Sequence, residues 1–465
     1  MASVGIIGAG IAGLTAAYQL RQEGIEVAVF EAAKQVGGKM RSERIDDYLV
    51  ECGPNTIQAA TPMMNTLIDR LDMADAVVEA DAAAKKRYVV RDGTPQPLPT
   101  SPIRFLTADL FSASAKLRLL GEPFIAAADA DAEESVASFA RRRLGREVLD
   151  YGLNPFVGGI FAGDPEQLSV RHAFGRLHAL EQEHGSLFRG LIHAVRNRDA
   201  SGGGENAGPA RRMFSFRDGV QMLPEAIASP LDASVHRNTT VTGLHAEGAR
   251  WRLSAQHGTA SPRTHVFDAV ISTIPLHRFA ALRMETTIDR TPLAEVPYPP
   301  VNVVAMGFRR ADVDHPLDGF GMLVPEVEDD YQILGTIFSS TLFPDRAPDD
   351  HVLLTTFVGG VRHPELGRAP KDRQQAVVKA DLNALLGTRG APSFVHHAAW
   401  PRAIPQYNLG YGAVKHCIDR LESTHPRLFL AGNYRDGVSV GSALDSGDRA
   451  AQRVLKTLAP ENVEA

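Results

Sequence analysis

A multidomain α/β protein, with one parallel-sheet unit assembled from both ends of the chain, is the fold class the sequence predicts. Three observations carry this expectation. The N-terminus reads strand, glycine loop, helix. The C-terminus repeats that order with a buried apolar run, a Gly-rich loop and a long amphipathic stretch. Between them the 465 residues exceed one core, since compact domains hold roughly 100–200 residues.

At the N-terminus, residues 4–7 are an apolar strand feeding Gly8-Ala9-Gly10-Ile11-Ala12-Gly13, and residues 14–22 have helical periodicity. Gly8 serves the tight turn, Gly10 lets the backbone approach a pyrophosphate, and Gly13 lets helix and strand pack closely, with Ala12 in the same loop. The free N–H groups and dipole of the helix start favour an anion. A second strand, 26–30, delivers Glu31 at the spacing where a carboxylate holds ribose hydroxyls. Together these predict a Rossmann-like dinucleotide site. Gly37, Gly38, Lys39 and Arg41 form a second turn that a nicotinamide dehydrogenase does not need, so FAD is the expected cofactor.

The other half of this unit is expected from 428–433, a buried strand ending in Gly432 and Asn433, followed by a loop with Val438 and a helix over 442–458. The amides near Val440 and Ser442 would face charge developing on a reduced flavin. Gly437-Val438-Ser439-Val440-Gly441 matches a hydrolase nucleophile elbow, but no His follows Ser439 in the chain and the triad order fails. Residues 216–223, 234–236 and 240–241 supply further pieces, and 267–275 reads as one apolar strand ending near Thr273. Val241 is expected over the adenine.

The middle of the chain divides by composition. Residues 103–195 have helix-like apolar spacing, with charges such as Arg141, Arg142 and Arg143 expected on faces other than the apolar one. Residues 199–209, with three consecutive glycines, read as a flexible surface loop. After Pro275, alternating runs at 301–308, 319–324, 332–338 and 352–358 predict a second, mixed sheet.

Composition sets limits. Apolar residues are 44% and charged residues 22%, as in a globular protein. The balance of 49 Lys and Arg against 55 Asp and Glu, a net charge of −6, offers no broad basic field, so no nucleic-acid partner is expected. Cys52 and Cys417 are the two cysteines, which excludes a disulfide framework and suits a reducing cytoplasm. The 16 His residues include no His-Glu-x-x-His run and no Cys-His cluster at ligand spacing. No metal is expected, and His172, His178, His396 and His397 read as surface or satisfied core histidines. The N-terminus reads as a strand rather than a secretion signal. No run reaches the roughly 18 apolar residues of a membrane span, so any membrane contact is expected to be peripheral.

Several interior motifs, in order along the chain, carry a resemblance. They are Glu51-Cys52-Gly53-Pro54-Asn55-Thr56; residues 154–165 (Asn-Pro-Phe-Val-Gly-Gly-Ile-Phe-Ala-Gly-Asp-Pro) with Leu168-Ser169; Gly319-Phe320-Gly321; Ile337-Phe338-Ser339-Ser340; Pro344-Asp345-Arg346-Ala347-Pro348; Phe357-Val358-Gly359-Gly360; and Pro405-Gln406-Tyr407. Taken together, the chain resembles the protoporphyrinogen and coproporphyrinogen oxidases of haem synthesis, within the flavin amine oxidase superfamily, almost end to end. Residues 434–440 do not match residue by residue.

The resemblance implies an FAD-binding domain from 1–84, 212–275 and 405–465, a substrate domain from 85–98 and 276–404, and a helical domain, 99–211, that meets a membrane. It implies cofactor contacts from Gly53, Pro54 and Asn55. It also implies a propionate clamp at Arg87, a macrocycle sandwiched by Ile337 and Phe357 with Leu323 a looser candidate, and close approach to the ring at a turn holding Gly158 and Gly159. A solvated strand-end charge is the competing reading of Arg87, and ordinary core that of Phe357. The implied reaction removes hydrogen from a porphyrinogen with dioxygen as acceptor and needs no side-chain acid or base. Protoporphyrinogen IX is favoured over coproporphyrinogen III, because residues 154–165 and Arg87-Tyr88 are more similar to the mitochondrial and plant forms. A flavin amine oxidase, a carotenoid desaturase and a non-catalytic porphyrin-binding flavoprotein are the rivals. The apolar residues Phe105, Leu106, Leu110, Phe111 and Leu117 to Leu120 suggest a membrane face, with a homodimer contact as the alternative.

Overall fold

The computed structural model describes residues 1–58, 61–99, 102–129, 132–200 and 213–459. A five-stranded parallel sheet has Ser3–Ile7 at its centre, flanked by Glu26–Phe30 and then Val235–His236 on one side and by Ala269–Ser272 and then Leu428–Leu430 on the other. Val4, Ile6, Val29 and Ile271 are buried, the near-continuous apolar pattern of a sheet covered on both faces. Helices Ile11–Gln22 and Val440–Leu458 cover one face, packed so closely that a Cβ on Gly447 would stand 2.0 Å from the Ala12 carbonyl oxygen. On the other face lie a four-stranded sheet, with Leu244, Trp251 and Leu253 turned inward, and helix Tyr411–Thr424.

The single strand expected over 267–275 is two strands. Arg263–Phe267 is the antiparallel edge strand of the mixed four-stranded sheet, whereas Ala269–Ser272 enters the parallel one. Asp268 marks the crossing, its Oδ2 accepting from the Ser3 backbone N–H at 2.8 Å, a bond that ties the new strand to its neighbour.

A seven-stranded sheet runs in the order Phe394–Trp400, Val301–Arg309, His351–Gly359, Ile333–Phe338, Gly319–Leu323, Lys86–Arg91, Thr94–Pro97. Helix Lys371–Leu386 seals one face over Val304, Met306, Phe308 and Leu354. A buried polar node joins the two large sheets' supports: Arg346 donates to the Phe216 carbonyl and Ser215 hydroxyl, both at 3.0 Å, and lies 3.8 Å from Glu51. Glu51 also accepts from the Val220 N–H at 3.0 Å and from Ser42. Burial pushes the Glu51 carboxyl up to about 7, against the pull of Ser42 and Arg346.

Between residues 102 and 200 the described secondary structure is helical. Two expectations here are corrected. Arg143 does not face outward: it is fully buried, bonded to Glu122 at 3.1 Å and to Glu181 at 2.6 Å. Three consecutive helical positions span about 200° of a turn of 3.6 residues, so they need not share one environment. Leu110 and Phe111 are buried against Val89, so they form a core under the sheet edge and not an exposed face. Among the described side chains of this region, which do not include that of Leu106, the exposed large apolar residues are Leu117, Leu120, Phe124, Phe156, Ile160, Leu191 and Ile192. Of the loop expected over 199–209, residues 199 and 200 end helix Leu187–Ala200 and the rest lie outside the described residues. No helix among the described residues is long and apolar enough to cross a membrane.

Candidate active site

The first half of the site lies at the C-terminal edge of the parallel sheet, where strands hand the chain to glycine loops. Gly8 has φ +101°, and a Cβ on Gly13 would stand 2.0 Å from the Gly8 carbonyl oxygen, so neither position admits another residue without moving backbone. Gly10 differs: an added Cβ would meet nothing within 4 Å. It is the N-cap of Ile11–Gln22 and supplies no side-chain acceptor to the helix start. That combination of open space and uncapped helical N-terminus fits a pyrophosphate. Ala12 is buried against Gly447. Gly37 donates to the Ala9 carbonyl at 2.8 Å, and Gly38, at φ +60°, brings the second turn against Gly10.

Glu31 accepts from the backbone N–H of Ala9 and of Ala33, one bond of 2.8 Å per oxygen. A carboxylate has about four lone-pair positions, so two remain for ribose hydroxyls. Val241 is buried close by, since Thr239 donates to the Glu31 carbonyl at 2.7 Å. Thr273 bonds through its hydroxyl to the carbonyls of Ile7 and Gly8. Lys39 reaches the Arg402 carbonyl at 3.2 Å, and burial lowers its pKa to about 8. Gly53 abuts the Lys39 carbonyl, Asn55 donates to the Gly53 carbonyl at 3.1 Å, and the half-buried Pro54 lies between them. Arg41 is turned to Glu43. His277 stands near Lys39, Arg278 and Arg402, and burial followed by those cations holds its pKa down at about 4.

At the C-terminal segment Gly432 has φ +132° and donates to the Ser446 hydroxyl, and the Asn433 carbonyl accepts from the Tyr407 hydroxyl. Val438 packs at the margin of the core that contains Tyr407. The last helix begins at Val440. The expectation that the Ser442 amide is free to face the flavin is corrected: Ser439 caps the helix and accepts from the Ser442 N–H at 3.0 Å.

The second half is the open face of the seven-stranded sheet. Paired residues share a face, and alternation assigns the rest. Leu323 pairs with Gly335, which pairs with Phe357; Ile337 pairs with Gly321 and Thr355. Leu323, Ile337 and Phe357 therefore lie on one face of three adjacent strands, opposite the face sealed by Lys371–Leu386. In Ile333–Phe338 the one residue that is not buried is Ile337, and in His351–Gly359 the accessible residues are His351 and Phe357.

Gly158 and Gly159 are not in a turn, as expected, but inside helix Asn154–Phe161, which ends at Ala162 in the left-handed region at φ 49°. A Cβ on Gly159 would stand 2.7 Å from Leu323 Cδ2, while one on Gly158 would meet nothing. Glycines here let a helix lie against the sheet face and still leave a gap beside it. Arg87 is exposed on the strand beyond Leu323, with its guanidinium over the Phe320 ring at 5.5 Å. Among the described residues it has no carboxylate partner, so it is available to an acidic ligand.

The fold also brings together three residues that no sequence spacing joins: ligand atoms of Glu43, Cys52 and His396 all lie within 4.8 Å of one another.

A dinucleotide cradle closed by a second glycine turn, facing an apolar sheet platform, defines the class as a flavin-dependent oxidoreductase. The chain matches the model of the flavin containing amine oxidoreductases over residues 11–455. It is 38% identical to protoporphyrinogen oxidase 2 of Arabidopsis thaliana, over 98% of this chain and 94% of the relative. It is 27% identical to the coproporphyrinogen III oxidase of Bacillus subtilis, over 97% and 98%. A crystal structure from an Exiguobacterium species shares the fold at TM-score 0.80, 22% identity and coverage of 97% and 98%. The chain belongs to the flavin containing amine oxidoreductase family, within its protoporphyrinogen and coproporphyrinogen oxidase group, and its cofactor is FAD.

Proposed function

We propose that this enzyme oxidises a porphyrinogen to the porphyrin in haem biosynthesis, with protoporphyrinogen IX favoured over coproporphyrinogen III and dioxygen as acceptor. The identity with a protoporphyrinogen oxidase along nearly the whole of both chains carries this reading. FAD, when bound, supplies the acceptor for hydride, and a porphyrinogen requires three such two-electron removals.

The chain's own part is binding, orientation and exclusion of water. Gly8, Gly10, Ala12, Gly13 and Glu31 would hold the adenosine and pyrophosphate end, with Gly38, Lys39, Arg41, Gly53, Pro54, Asn55, Val241, Thr273, Gly432, Asn433, Val438 and Val440 along the remainder. Leu323, Ile337 and Phe357 offer the flat apolar surface a macrocycle needs, and Gly158 and Gly159 leave room on its other side. Arg87 receives a propionate at the rim, where two parallel N–H bonds from guanidinium match a carboxylate. No side chain is assigned as acid or base. The domain boundaries given above follow the same reading.

We further place the protein in the cytoplasm with its helical region at the inner face of the membrane. Leu117 and Leu120, at 69% and 62% exposure and both within the expected face, support this together with Phe124 at 85%, whereas the buried Leu110 and Phe111 do not. A second copy covering the same residues is the alternative. The test of function is aerobic incubation of purified holoprotein with each porphyrinogen. Porphyrin fluorescence and hydrogen peroxide should rise together, faster with protoporphyrinogen IX. A porphyrin-binding carrier would release no peroxide.

A further inference from the structure

We propose that Glu43, Cys52 and His396 form a binding site for a thiophilic divalent cation of the zinc class, at the margin of the sheet platform. Three separate segments deliver the donors. Glu43 is on strand Ser42–Ile45, Cys52 immediately follows strand Tyr48–Glu51, and His396 is on the edge strand Phe394–Trp400. A carboxylate, a thiol and an imidazole are the donor types zinc takes, and three protein ligands leave a fourth position for water.

The geometry within the trio points the same way. His396 Nε2 lies 3.3 Å from Glu43 Oε2, yet it makes no hydrogen bond and is closed off from solvent. The pair has the distance of a hydrogen bond without its direction. Two ligands on one tetrahedral zinc, each at about 2.0 Å, stand about 3.3 Å apart. A shared cation therefore accounts for the spacing and for the unpartnered nitrogen together. The Cys52 sulfur lies within 4.8 Å of the other two donors, so it needs a shift of no more than about 1.3 Å to close the site at a Zn–S length near 2.3 Å. Burial and the Glu43 carboxylate push its thiol pKa up to about 12, so cation binding at neutral pH must release its proton. The Glu43 and His396 side chains are partly exposed although the His396 Nε2 atom is covered, and the Cys52 thiol is buried, so the three donors sit just beneath the surface. The site adjoins chemistry: Cys52 packs with Phe357 and Trp400, and the Trp400 indole donates to the Cys52 carbonyl at 2.6 Å.

The test uses the FAD-loaded enzyme stripped with chelator and dialysed against zinc alone, with bound metal measured per chain. Wild type and His397→Ala, whose imidazole lies on the opposite strand face, should retain one tightly held zinc. His396→Ala and Cys52→Ser should each lose it by at least about a hundredfold in affinity, the scale on which ligand shells act. Cobalt in place of zinc should give d–d bands to the red of the flavin spectrum that vanish in Cys52→Ser. Glu43→Gln with normal flavin content guards against a folding artefact and should weaken zinc likewise. Equal zinc binding in wild type and all variants, or none in wild type, overturns the site.

Discussion

Replacing Gly159 by Ala tests the platform with the smallest possible change. In a helix interior this substitution should stabilise by about 0.5–1 kcal/mol, because glycine loses more backbone freedom on folding. Against that, the new Cβ would stand 2.7 Å from Leu323 Cδ2. Carbon atoms settle at about 3.5–4.0 Å, so the Leu323 side chain must retreat by about 1 Å. Its far side is the open face shared with Phe357, and the retreat narrows the gap a macrocycle would enter. Overpacking of this size costs about 1–3 kcal/mol, here charged to substrate binding and not to folding. Steady-state oxidation of protoporphyrinogen IX should show kcat/KM lowered by about 5- to 150-fold, with Tm unchanged or higher and FAD content normal. Adding Leu323→Ala should restore much of the loss, a coupling that a double-mutant cycle isolates. Unchanged kinetics in Gly159→Ala would refute the placement of the substrate on this face.

Arg87→Ala should lower kcat/KM by about ten- to a hundredfold with normal FAD content, and Arg87→Lys should recover only part, since the ammonium keeps the charge but loses the fork; steady-state kinetics on either porphyrinogen decides it. Gly13→Ala should fold poorly and purify with little flavin, because its Cβ would meet backbone at 2.0 Å, read directly from visible absorbance. Arg346→Ala leaves Glu51 buried without its cation and should destabilise by about 3–5 kcal/mol in denaturant titration, whereas the double change Arg346→Met with Glu51→Gln should cost much less. His277 has a folded pKa near 4 against an ordinary 6.5, so its stabilising contribution is complete above pH 6.5 and is lost as pH falls toward 4. The Tm difference between wild type and His277→Gln should shrink across that interval.

The glycine loop, Glu31 and the alternating strands were legible because their signals are local: period-two alternation places Leu323, Ile337 and Phe357 by spacing along each strand, and pairing then aligns them. What failed to show was tertiary. Arg143 reads as surface charge until Glu122 and Glu181 arrive from other helices to neutralise it. Leu110 and Phe111 read as an exposed face until Val89 covers them. The break at Asp268 depends on a bond to Ser3 at the other end of the chain, which no window contains. Glycine pairs signal a turn as readily as close helix packing, so Gly158 and Gly159 read as a turn, and the proximity of Gly159 to Leu323 needs the fold. Glu43, Cys52 and His396 lie too far apart in sequence for any ligand-spacing rule to join them.

The central claim is that a porphyrinogen delivers its hydrogen to the FAD held by this chain, and anaerobic rapid mixing tests it most directly. With oxygen excluded, protoporphyrinogen IX should bleach the oxidised flavin absorbance of the holoenzyme, and Gly159→Ala should slow that bleaching or demand more substrate. Flavin that stays oxidised through many equivalents of both protoporphyrinogen IX and coproporphyrinogen III would contradict the account.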